Sequence, residues 1–124
     1  MAIAVDPHRS VRYVLKEDRE LPEDQQTVFL LRALSARELA QVEDGMSVVT
    51  PGGDVRIATG SQSLRTLDLG LTGWENFLTP DGKLVPFDGN AKASNWDYLR
   101  PSWRRELSNA ILDQTRLTEA ERKN

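Results

Sequence analysis

His8 is the single histidine of the chain, and imidazole is the side chain best suited to act as general base, proton shuttle or metal ligand near neutral pH. It stands between Pro7 and Arg9 in an amino-terminal arm, residues 1–10, expected to be flexible, with the Ser10 hydroxyl two residues on. A Ser–His pair works only when a carboxylate orients the imidazole inside a cleft, and chain ends are the least ordered part of a small domain. The pair is therefore not read as catalytic. With no second histidine and no cysteine, a metal site has too few ligands of the usual kinds. Carboxylates occur as neighbours, Glu43 with Asp44 and Glu119 near Glu121. Their surroundings are charged and lack the apolar context that raises one carboxyl pKa for acid work. Pro51-Gly52-Gly53 carries glycines of the kind that cradle phosphate, yet no Gly-Lys-Ser/Thr follows it. The expectation is a non-catalytic chain without metal or cofactor.

Adhesion is the chemistry the remaining side chains suit. Trp74, Trp96 and Trp103 represent a large apolar area for 124 residues, and such area is either buried or used to bind. Trp103 belongs to a helical stripe and reads as core. For Trp96, in a loop-like stretch, packing and partner contact weigh evenly. Trp74, Phe77, Trp96, Tyr98, Arg100 and Trp103 are the candidate partner-binding residues. Arg100, Arg104 and Arg105 beside these aromatics suggest a stacking surface for single-stranded nucleic acid, but residues 99–124 hold six basic and four acidic side chains, too small a surplus for a phosphate groove. Over the whole chain, 16 basic and 19 acidic residues give a net charge of −3, which argues against a protein that neutralises many phosphates.

The elements that must position these groups follow from pattern. A chain of this length with 39% hydrophobic and 28% charged residues is expected to form one domain, residues 1–124. The absence of cysteine rules out a disulfide scaffold. The apolar start, Met1 to Val5, meets Asp6 and Pro7 too soon for a signal-peptide core, and no later run reaches transmembrane length. Residues 11–16 alternate as a strand, and Thr27–Leu34 is an apolar run of strand length, its partner across an acidic loop of Glu17, Asp18, Glu20, Glu23 and Asp24. That loop reads as a solvated connection, with a contact surface for a basic partner as the other option. Ser35-Ala-Arg-Glu38 is a capping box, with Leu34 and Leu39 placed as a hydrophobic staple, so a helix is expected over 35–44, continuing one face to Met46 and stopping at Gly45. Residues 46–58 suggest a hairpin around Pro51-Gly-Gly53. Leu64, Leu67 and Leu71 are spaced for a helix over 61–71.

That helix delivers Trp74 to a turn built on Pro80-Asp-Gly82, across which Phe77 and Phe87 are expected to face each other. Beyond Pro101, residues Trp103, Leu107, Ala110 and Ile111 form the clearest amphipathic stripe and predict a helix over 101–113. Thr118-Glu-Ala-Glu121 caps a last short turn within a fraying tail, 114–124. The fold class expected is α+β, a small antiparallel sheet with hairpins packed by about three helices.

Tyr13 to Phe29 with its acidic, proline-containing centre, Gly70-Leu-Thr-Gly-Trp74-Glu-Asn-Phe77 with the Asp81-Gly82 turn, and the closing leucine-rich helix resemble small proteins of tailed bacteriophages, of the tail assembly chaperone type. The resemblance covers roughly residues 11–123. It implies a non-enzymatic protein that binds the tail tube or the long helical tape-measure protein; the host cytoplasm is the expected location, and the charge balance with the lack of a membrane signal leads to the expectation of no nucleic-acid or membrane partner. A structural or connector protein of the virion, acting as a homo-oligomer, shares the same look. An acidic inhibitor of a host protein is the reading the charged loop suggests.

Overall fold

The computed structural model describes the chain except residues 3–9, 46, 50, 54, 58, 91 and 124, and the side chains except those of 47–49, 55–57, 59 and 118–123 as well. His8 and its arm, Met46 and the side chains of the Thr118–Glu121 box lie outside the described residues. The fold is α+β. Strands β1 (Ser10–Tyr13), β2 (Val28–Arg32) and β5 (Leu71–Glu75) form an antiparallel sheet in the order β1-β2-β5. A separate hairpin joins β3 (Ser47–Val49) to β4 (Val55–Ile57). Helices α1 (Ala36–Asp44), α2 (Thr59–Gly70) and α3 (Pro101–Lys123) supply the second layer.

The expected pairing of the first two strands holds, with Val11 opposite Leu31 and Tyr13 opposite Phe29. Alternation turns Val11, Tyr13, Phe29 and Leu31 toward the helices, whereas Ser10 and Arg12 face water. The third strand is the departure from the sequence reading, in which Leu71–Glu75 is the approach to a turn. Here it is an edge of the main sheet, its Trp74 opposite Phe29. Leu71 and Trp74 are three residues apart, so strict alternation would put them on opposite faces. A register shift between Leu30 and Leu31 leaves Thr72 as an extra residue in β5, which brings both Leu71 and Trp74 to the core side. The Thr72 hydroxyl donates to the Leu30 carbonyl there.

Helix α1 starts as the sequence requires. Ser35 Oγ accepts from the Glu38 amide, and the Glu38 carboxylate accepts from the Ser35 amide at 2.9 Å. The same carboxylate takes a two-pronged bond from Arg32, at 2.9 and 2.7 Å. Leu34 and Leu39, the expected staple, are both buried. In α2 the buried side runs through Thr66, Leu67 and Gly70, while Leu64, which the sequence reading places on that face, is 40% exposed at its flank. Helix α3 continues to Lys123 instead of ending near 113. No glycine or proline interrupts residues 114–117, and the Thr115 hydroxyl donates to the Ile111 carbonyl within the helix while accepting from the buried Leu34 amide at 2.9 Å.

Helices α2 and α3 pack at Gly70, where the Ile111 side chain lies against the glycine. A Cβ on Gly70 would fall 2.5 Å from Ile111 Cγ2 and 2.8 Å from its Cδ1. Ile111 is fully buried, so it has nowhere to move. Gly70→Ala is therefore expected to destabilise the protein by ~1–3 kcal/mol despite the better helix propensity of alanine. Denaturant unfolding checks this, and combining it with Ile111→Ala should cost less than the sum of the two single changes.

Arg32's bonds, followed by those of Ser35, hold the Glu38 carboxyl well below the ordinary glutamate value of 4.5, at about 2. A depressed carboxyl pKa means that the stabilisation is present above the unfolded-state value and is lost as the pH falls through the folded one. Stability should thus decline between pH about 4.5 and 2, and Glu38→Gln should flatten this part of a pH–stability curve.

Candidate protein-binding surface

The segment after β5 determines where the aromatics go. Asn76 adopts positive φ, +58°, a conformation that asparagine tolerates better than most residues. Its side-chain amide donates to the Asp24 and Gln26 carbonyls at 3.2 Å each, and its own carbonyl accepts from the Thr27 hydroxyl at 2.9 Å. The acidic loop is thereby tied to the end of β5, and Phe77 is turned inward. Around Pro80-Asp81 the chain reverses as expected: the Gly82 amide donates to the Thr79 carbonyl, Gly82 has φ +83°, and the Val85 amide returns to the Phe77 carbonyl at 2.8 Å. The two phenylalanines do not face each other across it. Trp74 lies between them, its ring 5.0 Å from Phe77 and 4.9 Å from Phe87, edge-on to both.

Extending this pair, Trp103 packs on Phe77 at 6.1 Å and Trp96 on Phe87 at 6.2 Å. Four of the six candidate contact residues, Trp74, Phe77, Trp96 and Trp103, thus belong to one aromatic cluster. Their exposure differs. Trp96, 3% exposed, and Phe77, 8%, are core residues. Trp74 and Trp103 are half-buried. Tyr98 is 53% exposed and outside the cluster. Arg100 is exposed, its guanidinium 4.9 Å from the Trp103 ring centre, a cation–π stack that lids the outer end. Each indole N–H has an acceptor: Trp74 donates to the Val85 carbonyl at 2.8 Å, Trp96 to Asp68 at 2.6 Å, and Trp103 to the Glu17 carboxylate.

The cluster reaches the surface through a cleft of about 370 Å³, with Phe29, Phe77 and Trp103 among its walls and Asp18, Asp24, Asn76 and Leu78 among the rest of its lining. Asp18 and Asp24 belong to the acidic loop, folded here into short 3-10 turns at Lys16–Asp18 and Glu23–Gln25. Leu78 is 48% exposed. Sequence reasoning noticed the loop and the aromatics separately. The Asn76 clamp and the Trp103–Glu17 bond, which join residues 49 to 86 positions apart, bring them together.

A second feature carries a titratable pair. Tyr13 donates to Glu106 Oε2 at 2.7 Å, and the Lys16 amide donates to the same oxygen at 3.0 Å. Burial, then the neighbouring Glu106 carboxylate, pushes the phenol up to about 12. Such a phenol stays protonated throughout the neutral range and acts as a fixed donor joining β1 to α3. Glu43 and Asp44 are exposed at the end of α1, and Pro51-Gly52-Gly53 makes the turn between β3 and β4. Among the described residues no group of three His, Cys, Asp or Glu side chains is placed to hold a metal ion, and no helix is long and apolar enough to cross a membrane. Compared with protein-family models, curated proteins and solved structures, the chain finds no match.

Asn76→Ala should remove the two clamp bonds and place a Cβ-bearing residue without a compensating amide in the left-handed region, at a cost of ~1–2 kcal/mol. Asn76→Gly should relieve the backbone part alone. Hydrogen exchange ought to show faster opening of residues 22–27 in both variants.

Proposed function

We propose that the protein acts without catalysis, as an assembly chaperone of the phage-tail type, by seating a segment of a partner chain in the acid-rimmed aromatic cleft. The cleft is the observation that supports this reading. Its aromatic walls are already packed and bonded, so a partner side chain entering it loses water without first having to order the site. A few buried aromatic anchors carry most of the affinity in protein interfaces. The rim sets the preference: Asp18 and Asp24 favour a segment that places lysine or arginine beside its apolar anchors. An amphipathic helix of a tape-measure protein, or a segment of the tail tube, fits that description. The acid rim also favours a second reading of the same cleft, an acidic inhibitor that occupies a basic surface of a host protein.

Co-expression with a helical tape-measure segment tests the first reading through the soluble yield of that segment. Leu78→Asp and the pair Asp18→Lys with Asp24→Lys change groups that are exposed or, for Asp18, half-buried, and none belongs to the buried core, so the thermal midpoint should move little, whereas binding should weaken by roughly tenfold or more. Equal tape-measure solubility with and without the protein would refute the chaperone reading. Capture of a basic host protein that raised salt and the lysine pair both abolish would move the assignment to the inhibitor.

A further inference from the structure

Helix α3 is buried on one side through Leu107, Ile111 and Leu112. Its other side presents Ser102, Arg105, Asn109, Asp113 and Arg116, all exposed. These residues are spaced by three, four, four and three, the spacing that keeps a stripe on one helix face. A groove flanks the stripe on each side. One, of about 280 Å³, is lined in part by Val11, Ala110 and Leu117. The other, of about 400 Å³, lies between α2 and α3 and includes Leu64 and Pro101. Asn109 borders both grooves. A ridge between two grooves is the form in which helices pack against one another, and the exposed Leu64 and Leu117, at 40% and 61%, are apolar surface that such packing can cover.

The charge pattern selects the occupant. Arg105 precedes Asn109 by four residues and Asp113 follows it by four. We propose that a second copy of this chain docks on the stripe, the two α3 helices antiparallel about a two-fold axis passing by Asn109. In that register each Arg105 lies opposite Asp113 of the other copy, so one symmetry operation makes two ion pairs, and the asparagines meet at the centre. A two-fold interface requires this kind of self-complementarity. The parallel arrangement sets arginine against arginine and aspartate against aspartate, which disfavours it. Asp113 has an ion pair with Arg116 of its own helix at 3.7 Å, but both side chains are more than 60% exposed, and such pairs contribute little. Arg105 has no carboxylate partner among the described residues. Trp103 lies roughly 200° around the helix from Arg105, so the dimer leaves the aromatic cleft open, and its existence does not depend on what the cleft binds.

Light scattering after size exclusion should give twice the 14.0 kDa chain mass. Arg105→Asp and Asp113→Arg should each weaken the dimer by roughly tenfold or more, since each sets two like-charged pairs across the interface. The double variant should restore it. The chain has no cysteine, so Asn109→Cys is a clean second probe, expected to give a disulfide-linked dimer under mild oxidation. A monomer throughout the micromolar range, a dimer indifferent to both reversals, or a double variant no better than the single ones would overturn the proposal. So would failure of the Asn109→Cys protein to cross-link while remaining dimeric.

Discussion

The architecture depends on the junction at Gly70, where α2 becomes β5 with no residue between them. A helix and a strand of one chain cannot diverge there, so the direction of β5 is set by how α2 lies on α3. That is set in turn by the missing side chain of Gly70, which lets Ile111 fill the space. Because β5 begins immediately, Leu71 must continue the core that Leu67 starts. The Thr72 bulge then corrects the phase, so that Trp74 also points inward. The Gly70–Ile111 contact and the Thr72 bulge together set which residues of the third strand are buried and where the aromatic cluster begins.

The tryptophans hold the irregular half of the molecule to the regular half. An indole needs both apolar burial and an acceptor for its N–H, and here each acceptor belongs to a distant part of the chain. Trp74 holds the returning limb of the Pro80-Asp81-Gly82 hairpin, Trp96 connects the 92–98 turn to α2, and Trp103 connects α3 to the acidic loop. Asn95 adds a reciprocal pair with the Asp88 backbone, at 2.9 Å in both directions. Among the described residues no buried side-chain polar atom lacks a partner. Long connections that would otherwise have only local bonds are held by side chains instead of by a sheet ladder.

Local rules made part of this legible. The capping box, the staple, the pairing of the first two strands and the turn around Gly82 depend on neighbours in sequence or on a single alternation, and the structure has all of them. The third strand was not legible, because Leu71-Thr-Gly-Trp74 does not alternate: its hydrophobic phase makes sense only with a bulge, and a bulge is visible only against the partner strand. The full length of α3 is hidden because Thr118 looks like a cap, but a cap residue within an uninterrupted helical run does not start a new helix. The six contact candidates were found by residue type. Type could not separate Trp96 and Phe77, which are core, from Trp103 and Arg100 at the edge. The Asp18–Asp24 rim needed long-range contacts that no window of sequence contains.

Core and candidate site share the same atoms, and this constrains how binding could be tuned. Phe29 and Phe77 wall the cleft but also pack the sheet against α3, so changing them alters the fold before it alters recognition. For the proposed binding, selectivity would come from the rim, where Asp24 and Leu78 are exposed and Asp18 is half-buried, and none of the three belongs to the core. A rigid aromatic wall with an adjustable charged rim separates affinity from preference: buried rings provide the first and exposed charges the second. Helix α3 joins this site to the rest of the surface, its Trp103 side facing the cleft and its opposite side carrying the Arg105–Asp113 stripe. Leu107 and Ile111 of the same helix are fully buried, and Ile111 makes the Gly70 contact beside which the third strand begins.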